Sequence, residues 1–321
     1  GCSTRESNGP TVQSSSALNH LVDPSPYKEA PMLSRLVERG ELPQVQDRLP
    51  RRPFVRQAES VGNFGGTLYD DSASQGGRFF LDGALITSPN ETDNSGSVIR
   101  PHLCEKVEHN EEYSEFIFYI REGLKWSDGV EMTADDVIWW WEHEQNNKKL
   151  YPEGPRTAWK IGKTYAKFEK LGKWVFKVSF PGSFRPLMNV SAHEWMSFSS
   201  FFGQPAHYMK QYHIDFNPQA NELARSYGYQ AWYQLYKERE EYMRPHSGKP
   251  GLGPWVRVST KTTHDIFERN PYYFEVDQEG NQLPYIDRLY VSVVEDRKLR
   301  DARTATGGVS IGVTVLSQIN I

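Results

Sequence analysis

The sequence predicts an α/β fold, and three stretches carry that prediction. Residues 116–145 (FIFYIREGLKWSDGVEMTADDVIWWWEHEQ) read as a strand, a turn and a capped helix. Tyr165–Glu169 and Trp174–Phe180 read as a hairpin, and much of 205–243 reads as helical. At 321 residues the chain is long enough for one large or two ordinary domains with a real core.

Phe116, Phe118 and Ile120 alternate with Ile117, Tyr119 and Arg121, the period of a strand with one face buried and the other partly so. Glu122-Gly123 ends it, and Ser127-Asp128-Gly129 makes a turn in which glycine can take a positive φ. Thr133 is placed as a helix N-cap. Asp136 stands three residues on, where its carboxylate reaches back to the cap amide and opposes the helix dipole. Val137, Ile138, Trp140 and Trp141 then share one side of the helix.

Arg121-Glu122-Gly123-Leu124-Lys125-Trp126-Ser127-Asp128-Gly129, followed by Thr133-Ala134-Asp135-Asp136-Val137, resembles a signature of the extracellular solute-binding proteins of ABC importers. That family serves oligopeptides, dipeptides, nickel and some oligosaccharides. Gly251-Leu252-Gly253-Pro254-Trp255-Val256 and Phe267-Glu268-Arg269-Asn270-Pro271-Tyr272-Tyr273 resemble its second signature, in the same order. The resemblance implies a periplasmic-binding-protein-like lobe (type II, large cluster C type), with a mixed β-sheet and a strand/helix insert. It implies an oligopeptide or oligosaccharide solute held in a cleft that closes by hinge motion, and ABC permease and ATPase subunits as partners. In peptide-binding members, extended ligand backbone pairs with protein backbone.

Taken in order, residues 1–26 are polar and read as a flexible tether. Gly1-Cys2-Ser3 ahead of a Ser/Asn/Thr-rich tract resembles the processing site of a bacterial lipoprotein. On that reading Cys2 carries a lipid that holds the chain to the extracytoplasmic face of the cell membrane; a fortuitous cysteine is the alternative. Residues 27–60 form an N-terminal helical extension, with an amphipathic helix from Ala30 to Arg39 ended by Gly40. A similar extension in one subgroup of the family implies packing against the outside of the body.

Residues 61–295 are the expected first lobe, with an inserted subdomain at about 98–215. Gly65-Gly66 opens its first strand, whose C-terminal end borders the ligand cleft in the family. That position maps onto Tyr69, Asp70 and Asp71, with Gln75 and Arg78 in the following loop; Trp255 completes the candidate ligand-binding set. An ordinary strand with a charged end fits the same residues. Val98–Glu108 leads to the first hairpin, with the family's usual tryptophan replaced near Lys106-Val107.

In the second hairpin Trp174, Phe176, Val178 and Phe180 line one face. Pro205–Tyr212 and Gln219–Met243 are read as helices. The second places Leu223, Tyr227, Ala231, Leu235 and Tyr236 at helical spacing, with Glu238–Glu241 as a solvated face. Leu283–Asp296 resembles the strand by which family members cross into a second lobe, and Arg303–Ile321 departs from the family pattern. The expectation is a chain truncated before its second lobe, with 296–321 the start of it, and a non-transporting binding or sensor fragment is the alternative to an importer component.

Composition excludes several classes. With 37 basic against 41 acidic residues the chain has no electrostatic draw toward nucleic acid. A mean hydropathy of −0.67 and no long apolar run argue against a transmembrane helix. Two cysteines imply no disulfide framework, and Cys104 reads as a small core residue. The aromatic content of 13% suits either a ring-lined cleft or an aromatic core, and the core is the simpler reading.

No catalytic group, metal or cofactor is expected. Asp128, Asp135, Asp136 and Glu142 form an acidic set, but Asp128 fits the turn and Asp136 the cap better than a carboxylate pair for hydrolysis. The histidines are scattered: His143-Glu144 lacks a zincin partner, and His207 and His213 are six apart. Asp277–Asn281 lacks the terminal acid of a calcium loop and reads as a hairpin turn.

Overall fold

The computed structural model describes residues 27–57, 59–73, 90–92, 98–192, 202–241 and 246–310. Two four-stranded sheets organise them. The body sheet has the order β11 (Trp255–Thr260), β12 (His264–Arg269), β14 (Arg288–Val293), β2 (Thr67–Ser72). It is mixed: β14 runs antiparallel to β12 and parallel to β2. The insert sheet is antiparallel, in the order β5 (Cys104–His109), β6 (Glu115–Ile120), β10 (Val175–Ser179), β9 (Lys167–Gly172). This is the α/β, mixed-sheet architecture with a strand/helix insert that the sequence predicts.

The alternation around Phe116 works as its period requires. Phe116, Phe118, Phe176 and Val178 are fully buried, and the Phe118 and Phe176 rings stack at 4.9 Å from neighbouring strands. Trp126, Trp140 and Trp159 join them in one aromatic core. Burying three indoles and these rings removes several hundred Å² of apolar surface from water, at about 25 cal/mol per Å². The tryptophans therefore serve packing. Cys104 is buried in the same core, and that burial pushes its thiol pKa up.

Thr133 caps the helix Ala134–Trp139 as expected. Its hydroxyl accepts the Asp135 amide at 3.2 Å, and the Asp136 carboxylate accepts the Thr133 amide at 3.0 Å. Asp136 does more than cap: it also accepts the Ala206 amide at 3.0 Å and the Trp126 indole N–H at 3.3 Å. Burial pushes its pKa up, and those donors pull against that shift. Beyond Trp139 the helix widens into a π-helical turn, Trp140–Gln145.

The expected single helix over 219–243 is two. Ala220–Ser226 ends where Gly228 takes a φ of +85°, and a new helix, Trp232–Glu240, begins after Ala231. The Gln234 amide oxygen accepts the Gln230 and Ala231 amides and caps it. A φ that glycine alone adopts without strain outweighs the apolar spacing. The Glu238–Glu241 face is also not uniformly solvated. Arg239 is buried beneath the rings of Tyr212 and Tyr227, and Glu240 is buried against the Tyr151 hydroxyl at 3.2 Å.

The N-terminal extension is woven in rather than laid on. β1 (Phe54–Arg56) pairs in parallel with β13 (Glu275–Asp277), and Lys28 bonds through its backbone to Gly280 and Gln282. Arg48, fully buried, donates to the Pro43 carbonyl at 3.0 Å and the Gln282 side chain at 3.0 Å and pairs with Glu29. Asp277–Asn281 is a tight turn in which the Asp277 carboxylate accepts the Glu279 and Asn281 amides, each at 2.9 Å. No helix among the described residues is long and apolar enough to cross a membrane.

Candidate functional site

In the body sheet β14 lies between β2 and β12, and its register fixes what shares a face. Tyr69 pairs with Tyr290, which pairs with Ile266; Asp71 pairs with Ser292, which pairs with His264. Because side chains two apart point the same way, these two rows lie side by side on one face. The opposite face carries Leu68, Leu289, Val291 and Phe267, a small apolar cluster.

The first face is aromatic and open. The Tyr69 residue is 49% exposed, and its ring lies 5.8 Å from that of Tyr290. Tyr290 in turn stacks on His264, centroids 4.7 Å apart and planes 18° from parallel. Three strands, one of them nearly 200 residues upstream of the other two, thus supply a row of three rings.

Beside the row the helix Arg297–Ala305 begins at Asp296, whose carboxylate accepts the Leu299 amide at 2.8 Å. It carries Arg303 to the end of β2, where Nε donates to Asp71 Oδ2 at 2.7 Å. That bond and the carboxylate charge raise the Arg303 pKa. The following turn folds Ser310 onto the strand edge: its amide donates to the Tyr69 carbonyl at 2.8 Å, and its hydroxyl accepts the Tyr69 amide at 3.0 Å. The edge backbone at Tyr69 is therefore occupied by the chain itself. What a ligand can reach there is ring surface and the Arg303 guanidinium.

The six predicted ligand-binding residues divide accordingly. The structure brings Tyr69 and Asp71 to one face, although Asp71 is buried and committed to Arg303. Asp70 is buried on the opposite face, in the row of Val291 and Asp265. Trp255 is on that opposite side too, packed on the apolar cluster with its indole N–H donating to the Ile286 carbonyl at 3.0 Å. Gln75 and Arg78 lie outside the described residues, as does Cys2. Tyr290, His264 and Arg303 escaped the sequence reading. Alternation in 288–293 could have flagged Tyr290 as facing away from Leu289 and Val291, but nothing local places it beside Tyr69.

Three of the acidic set, Asp128, Asp135 and Asp136, take structural roles. Asp128 Oδ1 accepts the Val130 amide at 3.2 Å, and Oδ2 pairs with His207 Nε2 at 2.7 Å. Burial pushes the Asp128 pKa up, but the His207 contact and the backbone donors together outweigh it and the net shift is downward. Asp135 is exposed and pairs with Lys170 at 2.7 Å. Among the described residues no three His, Cys, Asp or Glu side chains converge as a metal site would require.

The two sequence signatures meet. Ser127 and Gly251 are joined by two hydrogen bonds of 3.0 Å, and the Asn270 side chain donates to the Gly253 carbonyl at 2.9 Å. The family model for bacterial extracellular solute-binding proteins, family 5 Middle, matches residues 98–320. The chain belongs to that family.

Individual family 5 relatives agree. The periplasmic alpha-galactoside-binding protein of Rhizobium meliloti is 28% identical over 317 residues, 88% of this chain and 42% of its own length. An oligopeptide-binding protein OppA superposes with a TM-score of 0.79 at 31% identity, over 88% of this chain and 44% of that one. The periplasmic binding protein MelB from Agrobacterium fabrum C58, in complex with stachyose, superposes with a TM-score of 0.70 at 23% identity, over 88% and 43%. This chain spans less than half the length of these relatives. All three are named as binding proteins.

Proposed function

We propose that this chain is the solute-capturing component of an ABC importer, or a portion of it, and that it takes an extracellular oligosaccharide. The observation that carries the saccharide reading is the row Tyr69, Tyr290 and His264 on an open sheet face. Sugar rings present flat C–H faces that stack on aromatic rings, and successive rings in a row suit successive units of an oligomer. Arg303 at the end of the row supplies donors for hydroxyls. The similarity to an alpha-galactoside-binding protein supports the same reading.

A second reading, an oligopeptide solute, is favoured by the 31% identity to OppA. Strand addition at the β2 edge is the usual way to hold a peptide backbone. Here Ser310 already occupies the Tyr69 amide and carbonyl, which weighs against peptide pairing at that point.

On this proposal the chain works outside the cytoplasm, held to the membrane by a lipid on Cys2, and delivers solute to permease and ATPase subunits. It needs no catalytic step, only a solute buried between closing surfaces. Thermal unfolding with a stachyose-type alpha-galactoside and with a mixed peptide pool tests the reading. A ligand at a hundredfold excess over Kd stabilises the native state by about 2.7 kcal/mol. A rise in midpoint with the saccharide alone supports the first reading, and one with peptides alone supports the second. A cooperative transition that moves with neither contradicts both.

A further inference from the structure

Residues 146–177 carry nine Lys or Arg and two Asp or Glu, in a chain whose net charge is −4. Three of these lysines are neutralised: Lys170 by Asp135, Lys173 by Glu131, and Lys177 by Glu169 and Glu115. Lys148, Lys149, Lys163 and Lys167 are exposed and pair with no carboxylate among the described residues. Lys160 lies beside them with its ammonium 5.6 Å from the Tyr165 ring centre.

The fold sets these positions on two successive turns and a short hairpin that touches the second of them. Lys160–Ile161 and Thr164–Tyr165 pair as a short hairpin with Lys163 at its tip, and Lys167 opens the next strand. The Tyr165 hydroxyl donates to the Glu153 carbonyl at 3.5 Å, seating the hairpin on the Tyr151–Gly154 turn, which directly follows the turn that carries Lys148 and Lys149. Gly154 permits that seat, since a Cβ there would lie 2.8 Å from the Tyr165 oxygen. Among the described residues 146–177, Glu153 is an exposed carboxylate that no lysine takes. An edge strand guarded by lysine accounts for Lys167, because the strand Lys167–Gly172 is outermost in its sheet. It does not account for Lys148, Lys149 and Lys163, which lie on no sheet edge.

We propose that these turns and the hairpin form an electrostatic docking surface for an anionic lipid headgroup layer. Protein–protein interfaces are depleted in lysine and enriched in arginine and aromatic anchors. Here the unpaired charges are all lysines, on a turn and a hairpin tip. Flexible point charges of this kind suit mobile headgroups, which need no fixed bidentate geometry. Each lysine near an anionic membrane multiplies the partition by about five.

The test is cosedimentation of the full chain, carrying Cys2→Ser so that no acyl anchor contributes, with phosphatidylglycerol-containing or pure phosphatidylcholine vesicles. The patch variant K148Q/K149Q/K163Q/K167Q is compared with K28Q/K106Q/K261Q/K298Q, which makes the same change in net charge elsewhere. The expected result is binding to the anionic vesicles alone and loss of binding in about 1 M salt, where the Debye length is about 3 Å. The patch variant should weaken binding at least about tenfold and the control by much less. Equal weakening by both variants would mean net charge alone and would overturn the proposal. So would no binding by the parent chain, which would leave an acidic protein surface as the occupant.

Discussion

Ser127 and Gly251 hold each other through two hydrogen bonds: the Ser127 amide donates to the Gly251 carbonyl, and the Ser127 hydroxyl accepts the Gly251 amide, both at 3.0 Å. Each residue lies in one of the two sequence signatures, so the signatures are the clasp between insert and body. Next to it, Gly129 has a φ of +89°, and a Cβ there would lie 2.7 Å from the Tyr272 oxygen. Ser127→Ala should cost about 1 kcal/mol by leaving the Gly251 amide unmet. Gly129→Ala should cost more, about 2–3 kcal/mol, through strain and overlap together. Urea unfolding of the two variants measures both, and a smaller loss for Gly129→Ala would contradict the clasp.

Asp136 ties three segments with one carboxylate, accepting from Thr133, Ala206 and Trp126. Asp136→Ala removes all of these at a buried site and should destabilise by about 2–4 kcal/mol. Asp136→Asn keeps one acceptor and should lose roughly half of that. Equal losses would show that charge, not acceptor number, is what matters.

Glu275 sets a pH dependence. Burial pushes its pKa up, but Arg56 and His102 hold it well below the ordinary value of 4.5. A carboxylate depressed in the folded state stabilises above the unfolded-state pKa and loses that contribution as pH falls toward the folded-state value. Stability should therefore fall as pH drops below about 4.5, and Glu275→Gln should flatten that slope while lowering stability at neutral pH. Denaturant midpoints measured from pH 7 down to about 3 check this; parallel profiles for the two chains would refute it.

Arg303 anchors the last described helix to a buried carboxylate. Arg303→Met leaves Asp71 without that cation. The cost should be about 1–2 kcal/mol, below the 3–5 kcal/mol of a fully buried pair, because the Arg303 side chain is 40% exposed. Hydrogen exchange should quicken across 297–310 and not in the insert sheet.

Much of this fold is legible in the sequence because its signals are local. The Thr133–Asp136 cap and the 165–180 hairpin need only their own residues. The single helix expected over 219–243 divides because one glycine at a positive φ outranks five well-spaced apolar residues. The candidate site is harder to read. Tyr69 lies about 200 residues upstream of His264 and Tyr290, and only the parallel β2–β14 register brings it into their row. For the same reason Asp70 and Trp255, well placed by motif, fall on the far face of the sheet.

Isothermal titration of the chain, and of Tyr69→Ala and Tyr290→Ala, with a stachyose-type alpha-galactoside shows whether the ring row holds a saccharide. Binding by the parent chain is expected, weakened by about 1–2 kcal/mol in each variant as one stacking ring is lost, with unfolding midpoints little changed. Saccharide binding that both variants leave intact, or peptide binding alone, would contradict that role for the row.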